Sequence, residues 1–393
     1  MAIEGSKGAP VSRRLRLGMV GGGQGAFIGA VHRIAARLDD RWELVAGALS
    51  SDAERAAASA RECHIPAERA YGDFLEMARA EAAREDGIDA VAVVTPNHVH
   101  HKVAAAFLDA GIHVICDKPM TTSVEDAEDL VRRVDESGRV FVLTHNYTGY
   151  PMVRQARAMV AAGEIGRIRV VQVEYPQDWL TTALEHSGLK QAEWRTDPAR
   201  SGPAGSTGDI GTHAHNLAAF VTGLKLESLA ADIDAFVPGR RLDDNAHVLL
   251  RYAGGAKGML WASQVAPGNE NGLRLRIYGE TGGLEWFQEE PNTLVFSPHG
   301  EPPRRITRGG PGAGPEAGRA SRVPPGHPEG YLEGFAQIYT DAAEAITARL
   351  EGRDPDPATG LLPGVRDGLD GVRFISAVVD SASKDAAWVR LKD

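Results

Sequence analysis

A run of glycines set between an apolar strand and an amphipathic helix constrains this chain more than any other feature. Leu15–Val20 reads as a strand, and Ala26–Leu38 carries apolar residues at helical spacing. The join between them is Gly21-Gly22-Gly23-Gln24-Gly25-Ala26. A strand that passes directly into a helix must lay that helix back across a sheet. The same alternation then repeats. Trp42–Leu49, Ala90–Val94, His113–Cys116 and Val140–Leu143 read as further strands. Asp52–Cys63, Phe74–Arg84, His101–Ala110 and Val124–Ser137 read as the helices between them. Strands separated by helices of this length predict a doubly wound parallel sheet, covered on both faces.

After about Tyr150 the pattern changes. Ile168–Tyr175, Ala246–Tyr252, Lys257–Gln264, Leu273–Tyr278 and Gly283–Phe287 look like longer strands joined by hairpin-length turns. Several of them alternate polar and apolar residues, as in an antiparallel sheet with one open face. Gly309–Pro328 is rich in Gly, Pro and Arg and reads as a long loop, followed by helices over Leu332–Leu350 and Val372–Ser383. At 393 residues the chain is too long for one ordinary core. The expected domains are residues 1–149, an α/β unit, and residues 150–393, an α+β unit with a largely antiparallel open sheet. Residues 1–12 are small and polar and predict disorder.

The formal charge of −10 argues against nucleic acid or an anionic membrane surface as a partner. No apolar run reaches the roughly 18 residues of a membrane span. Two cysteines, Cys63 and Cys116, are too few for a disulfide framework and fit a reducing compartment, so a cytoplasmic location is expected.

The glycine run has the spacing G-x-G-x-x-A in a strand–turn–helix setting, the arrangement of a Rossmann dinucleotide site. Gly21 allows the tight turn, and Gly23 lets the backbone approach a pyrophosphate. Gln24, Gly25, Ala26, Phe27 and Ile28 carry the loop into a helix N-terminus, whose amides face phosphates. The ribose end is less decided. The second strand finishes Ala48-Leu49-Ser50-Ser51-Asp52 with Arg55 beyond. Asp52 either meets a ribose hydroxyl or caps its own helix. Ser50, Ser51 and Arg55 suit a 2′-phosphate. NAD is favoured, with NADP left open.

Ligands of open α/β sheets bind outside the carboxyl ends of the strands. Two strands end there in chemically loaded segments: Thr95-Pro96-Asn97-His98, and Asp117-Lys118-Pro119 after His113–Cys116. Thr95, Pro96, Asn97, His100, Asp117 and Lys118 are therefore candidate cofactor contacts. His98, His100 and His101 are adjacent on a predicted helix start, point in different directions and lack ligand-spaced partners, so no metal is expected. In the second half, Gly208-Asp209-Ile210-Gly211-Thr212-His213 would put Asp209 and His213 at i, i+4 on one helix face. A carboxylate there can fix an imidazole that accepts a proton. A helix cap and a buried structural histidine explain the same residues.

The glycine turn, Asp117-Lys118-Pro119 and Asp209-Ile210-Gly211-Thr212-His213 together resemble the glucose–fructose oxidoreductase and inositol dehydrogenase family (Gfo/Idh/MocA) over nearly the whole chain. Gly163-Glu164-Ile165-Gly166 and Ile277-Tyr278-Gly279-Glu280-Thr281-Gly282-Gly283 add to the resemblance. It implies that Lys118 and His213 meet at a nicotinamide, that the Lys118–Pro119 bond is cis, and that subunits pack through the open sheet as homodimers or homotetramers. Two departures stand out. Asp117 replaces the family's usual Glu, and Asn216 stands where many members carry Asp.

The implied activity is hydride transfer between a sugar, glycoside or cyclitol hydroxyl and the nicotinamide. His213 acts as base, Lys118 stabilises the alkoxide, and Asp209 orients one of them. Candidate substrate contacts are Asn146, Tyr147, Trp179, Trp194, Arg195, His213, His327 and Tyr331. The same catalytic set also fits an NAD-dependent glycoside hydrolase that oxidises a hydroxyl transiently, with Tyr147 or His145 as a further base and an anionic sugar such as a sulfoquinovoside as one candidate substrate. Lys190, Arg195 and Arg200 either bind such an anionic group or are solvated surface cations. A non-catalytic nucleotide-binding regulator is the third reading.

Overall fold

The structure, a computed structural model, describes residues 12–391. All but the last residue of the stretch expected to be disordered lies outside that range.

Five parallel strands form the first sheet: β1 (Leu15–Gly21), β2 (Trp42–Ala48), β3 (Ala90–Val94), β4 (His113–Cys116) and β5 (Phe141–Leu143), in the order β2-β1-β3-β4-β5. Every residue of β3 and β4 is buried, which explains why both read as unbroken apolar runs. Gly21 pairs with Val94, Val93 with Cys116, and Cys116 with Leu143. The segments after these strands therefore emerge along one edge. Asp117-Lys118-Pro119 follows the fourth strand in chain order. The helix expected from His101 begins at Asn97, so Asn97 is its first residue and Pro96 its cap.

The second sheet has nine strands: β6 (Ile168–Pro176), β7 (Leu226–Asp234), β8 (Asn245–Tyr252), β9 (Lys257–Ser263), β10 (Arg274–Gly279), β11 (Gly282–Phe287), β12 (Thr293–Pro298), β13 (Arg304–Thr307) and β14 (Val389–Arg390). Their order is β13-β12-β11-β10-β6-β9-β8-β7-β14, and only the β6–β9 pair is parallel. β7, β12, β13 and β14 went unread in the sequence. β7 buries three consecutive residues rather than alternating, and the two outermost strands are short. One face packs on the helices Pro151–Ala161 and Thr212–Thr222. The other leaves Val170, Leu249, Met259 and Tyr278 exposed.

The chain returns to the first sheet near its C-terminus. In the helix Tyr331–Glu351, Phe335, Ile338, Tyr339, Ala342 and Ile346 share a core with Leu17, Met19, Val31 and Trp42. Burying each large side chain contributes about 1.5–3 kcal/mol, so this docking is firm. Arg154 and Asp341 add a fully buried ion pair at 2.6 Å between the helix entering the second sheet and this one. The last long helix begins at Val365, ahead of the expected Val372. Gly368 and Gly371 fall within the added turns. A β-carbon on Gly368 would fall 2.4 Å from the Met120 sulfur, so the glycine serves close packing against the segment after Pro119. The expected Gly309–Pro328 loop holds one short helix, Pro315–Arg319.

Candidate active site

At the edge where the strands end, the glycine loop has positive φ at Gly21 (79°), Gly22 (69°) and Gly25 (79°), a conformation that favours glycine. A β-carbon on Gly23 would meet the Leu49 carbonyl at 2.7 Å. The closest helix–strand approach falls at Gly29, where an added β-carbon would sit 2.1 Å from the Gly22 carbonyl oxygen. Gly29, rather than Ala26, is thus the residue that lets the helix lie against the loop. Ala26 is the helix cap, Phe27 is exposed at its start, and Ile28 packs partly on the core beneath. Gln24 turns to Glu62 at the surface. The open side of Gly25 and the unpaired amides of the first helical turn fit a pyrophosphate.

Asp52 caps its helix, accepting from the Arg55 amide at 2.8 Å, so its carboxylate is used locally. Ser50 accepts from the Asp52 amide at 3.1 Å, while Ser51 and Arg55 are exposed. The segments after β3 and β4 are tied together by His100, whose ring nitrogens lie 2.8 Å from both the Thr95 and Pro119 carbonyls. Burial lowers the pKa of His100 even though Asp117 and both carbonyls oppose the shift. Asn97 gives its amide to the Ser201 carbonyl at 2.9 Å, fastening the first domain to the second. The three neighbouring histidines part company here, since His98 faces the Arg200 carbonyl and His101 reaches Asp129.

The Lys118–Pro119 peptide is cis. Lys118 Nζ donates to the Asp209 carboxylate at 2.9 Å and also to the Asp209 carbonyl. The other carboxylate oxygen accepts from Arg195 Nε at 3.1 Å and from Gln264 Nε2 at 2.9 Å. Burial alone would raise the Asp209 carboxyl. The charges of Arg195 and Lys118, the Lys118 hydrogen bond and His213 outweigh it and hold the group well below the usual carboxylate range. Asp117 behaves likewise. Burial opposes its ionisation, but His32, His100 and Lys118 keep it ionised, and Thr144 Oγ1 donates to it at 2.8 Å.

No hydrogen bond joins Asp209 to His213. Thr207–Gly211 forms a π turn, and the Thr212 amide donates to the Thr207 carbonyl. The wider turn breaks the i, i+4 alignment expected of a regular helix and carries Asp209 round to Lys118. Asp243 pins the start of this turn, accepting from the Gly205 amide at 2.6 Å and from the Thr207 amide at 2.8 Å. Among the candidate roles for Asp209, its contacts support orienting Lys118.

His213 is buried with Tyr147 and His145 edge-on at ring separations of 5.0 and 5.4 Å. Burial, then the Lys118 charge and His145, push its pKa well below the ordinary value, against the pull of Asp209 and Asp117. Burial, Lys118 and His215 push His145 down to about 3. Both rings are therefore neutral near pH 7. Among the described residues, three buried side-chain atoms in this stretch lack a hydrogen-bond partner: His145 Nδ1, Asn146 Nδ2 and His213 Nδ1. Buried polar groups left unpaired are costly, so a place that keeps several of them is a functional-site candidate.

The structure brings Tyr147, Trp179, Trp194, Arg195 and Tyr331 around this cluster. Arg195 lies 4.5 Å from the Trp194 ring and 6.0 Å from the Trp179 ring. Tyr331 is close enough for Tyr147, Asp117 and Tyr150 to raise its hydroxyl pKa further after burial, with Arg195 opposing. His327 is not brought in: it faces solvent 3.3 Å from the Pro324 carbonyl. Asn216 is buried one turn beyond His213. Sequence reasoning missed Gln264, Gly29 and a wall of Tyr175, Asn271 and Gln177. In that wall Tyr175 Oη is 2.5 Å from Tyr147 Oη and donates to Asn271 at 2.7 Å. Gln264 follows directly on β9, a position that could have flagged it; nothing local marks the others.

Residues 15–145 match the oxidoreductase family with an NAD-binding Rossmann fold, and residues 153–285 match the GFO/IDH/MocA C-terminal domain. The uncharacterized oxidoreductase YfiI of Bacillus subtilis (strain 168) is 36% identical over 97% of this chain and 98% of its own. The chain belongs to the Gfo/Idh/MocA oxidoreductase family. It is similar to the crystal structure of an oxidoreductase from Sinorhizobium meliloti, with 57% identity, a TM-score of 0.87 and coverage of 96% of this chain and 100% of that one. It is also similar to an inositol dehydrogenase homolog from Azotobacter vinelandii complexed with NADH and myo-inositol, with 35% identity, a TM-score of 0.89 and coverage of 97% and 98%. NAD, expected from the glycine turn, is the cofactor of the matched family domain. The protein is thus an oxidoreductase with an NAD-binding Rossmann domain. Among the described residues no helix is long and apolar enough to cross a membrane.

Proposed function

We propose that this oxidoreductase is a dehydrogenase of sugars or cyclitols, converting one secondary hydroxyl to a carbonyl as NAD becomes NADH. The observation that carries the reading is the Lys118–Asp209 pair beside the neutral His213. The likeness to the Azotobacter protein complexed with myo-inositol supports the substrate class.

NAD, when bound, supplies the hydride acceptor. Gly21, Gly23 and Gly25 form the cradle for its pyrophosphate, and Thr95, Pro96 and Asp117 line the edge on which the nicotinamide half would lie. The protein must then remove one proton and steady the negative charge that grows on oxygen. Burial keeps His213 neutral, so it accepts the hydroxyl proton, and Nε2 is the nitrogen not sealed by protein. Lys118 donates to the same oxygen, with Asp209 holding its ammonium in place.

The test is a screen of cyclitols, aldoses, anhydrosugars and aryl glycosides, following NADH and released aglycone together. Stoichiometric NADH from one of the polyols is the expected result. Aglycone release without net NADH would replace the dehydrogenase reading with redox-assisted hydrolysis, and no turnover with NAD bound would favour a regulator.

A further inference from the structure

Between β6 and the π turn, residues 177–206 leave the second sheet. This excursion is fastened at several points. Arg240, buried beneath it, pairs with Glu185 at 2.9 Å and with Asp244 at 3.0 Å, and donates to the Leu180 carbonyl at 2.9 Å. At its far end the Asn97 amide holds the Ser201 carbonyl. Trp179 Nε1 donates to Gln177 at 3.1 Å, and Gln177 donates to Asn271 at 2.8 Å.

Arg195 sits on this anchored segment. Its Nε is spent on Asp209 and its plane lies near two indole rings, yet among the described residues neither terminal nitrogen has a hydrogen-bond partner or is a sealed, unpaired atom. A fixed guanidinium with its outer fork unused is a ready bidentate donor. The charges beside it decide what it takes. Lys118 and Arg195 are matched by the ionised Asp117 and Asp209, and the imidazoles of His145 and His213 are neutral. A carboxylate on the substrate would upset that balance next to two acids, whereas paired hydroxyls would not. The indoles offer flat apolar faces for ring C–H groups.

Resting on the dehydrogenase reading, we infer that Arg195 is a specificity-determining residue, gripping two adjacent hydroxyls of a neutral cyclic polyol away from the carbon that is oxidised. The substrate is thereby held at two places: one hydroxyl between Lys118 and His213, and a vicinal pair on the Arg195 fork.

The experiment compares the wild-type holoenzyme with Arg195→Met and Arg195→Lys on three compounds: a cyclic polyol substrate, its analogue lacking two adjacent hydroxyls remote from the reacting carbon, and its carboxylate-bearing counterpart. The wild type prefers the full polyol, chiefly through KM, and that preference falls about 10–100-fold in Arg195→Met, the size of a lost charge-assisted contact. Arg195→Lys keeps a cation near Asp209 but loses the fork, so it loses most of the preference, read as a KM for the full polyol that rises toward that of the analogue. A preference unchanged in both variants, with kcat lowered alike on every substrate, overturns the inference by reducing Arg195 to a partner of Asp209. A wild-type preference for the carboxylate overturns the neutral-polyol assignment. Calorimetry of the polyol and its analogue with the NADH complex reads the same contact without turnover. Failure of the Arg195 inference and failure of the hydride reading are thereby distinguishable.

Discussion

Replacing Lys118 by Met separates the structural and chemical parts of the site. Lys118 and Asp209 are both mostly enclosed, with side-chain exposures of 12% and 17%. Breaking a buried ion pair ordinarily costs about 3–5 kcal/mol because a charge is stranded. Here Asp209 keeps Arg195 at 3.1 Å and Gln264 at 2.9 Å, so it is not stranded. The expected destabilisation is about 1 kcal/mol, or a fall of a few degrees in Tm for a protein of this size. Chemistry should suffer far more. Removing one donor to a developing oxyanion typically costs about 10²–10³ in kcat. The substitution also leaves Asp117 and Asp209 facing Arg195 alone, so the alkoxide would form beside excess negative charge. We therefore expect a loss of at least about 10³-fold in the NADH-forming rate on the polyol found by the screen. Calorimetric NAD affinity should change by less than about threefold, since the pyrophosphate cradle is untouched. A loss in kcat below tenfold, or an equal loss of NAD affinity, would refute the role given to Lys118.

Further outcomes follow from the same geometry. His113 and His215 are pushed down to about 4 and His145 to about 3, mainly by burial. Unfolded, each binds its proton near pH 6.5, so the unfolded state holds more protons below that pH and stability falls as pH drops from about 6.5 toward 4. Near pH 5 these three rings contribute a slope of about 4 kcal/mol per pH unit, measurable as a steep fall in Tm, and a flat Tm across that window contradicts their burial as neutral rings. Gly29→Ala forces a backbone clash with Gly22. It should destabilise the fold by about 1–3 kcal/mol and weaken NAD binding at least tenfold, whereas unchanged calorimetric affinity would show that the loop tolerates movement. We also propose that copies of the chain cover the open sheet face. Leu249→Glu and Met259→Glu, which oppose one another across β8 and β9, should shift a dimer or tetramer toward monomer in light scattering. A wild-type chain already monomeric at micromolar concentration rules this out.

The local sequence determined the first domain almost completely. Its central strands β3 and β4 are buried runs, its helices alternate regularly with the strands, and the glycine turn lies where a strand meets a helix, so short-range pattern and fold agree. Lys118 was legible for the same reason: an abrupt Asp-Lys-Pro after an apolar strand locates a strand end, and strand ends share an edge. In the second sheet, β7 lacks alternation and the outermost strands are stabilised by neighbours rather than by their own pattern, so sequence alone left them unread. Asp209 and His213 were visible as residues but not as an arrangement. Regular helical spacing put them together, and the π turn pinned by Asp243 carried the carboxylate to Lys118 instead. The joining of Arg195, Gln264 and Lys118 on one carboxylate could come only from the tertiary structure. They lie on three separate elements, and the unpaired charge of Asp209 becomes costly, and so selective for partners, only once folding has removed it from water.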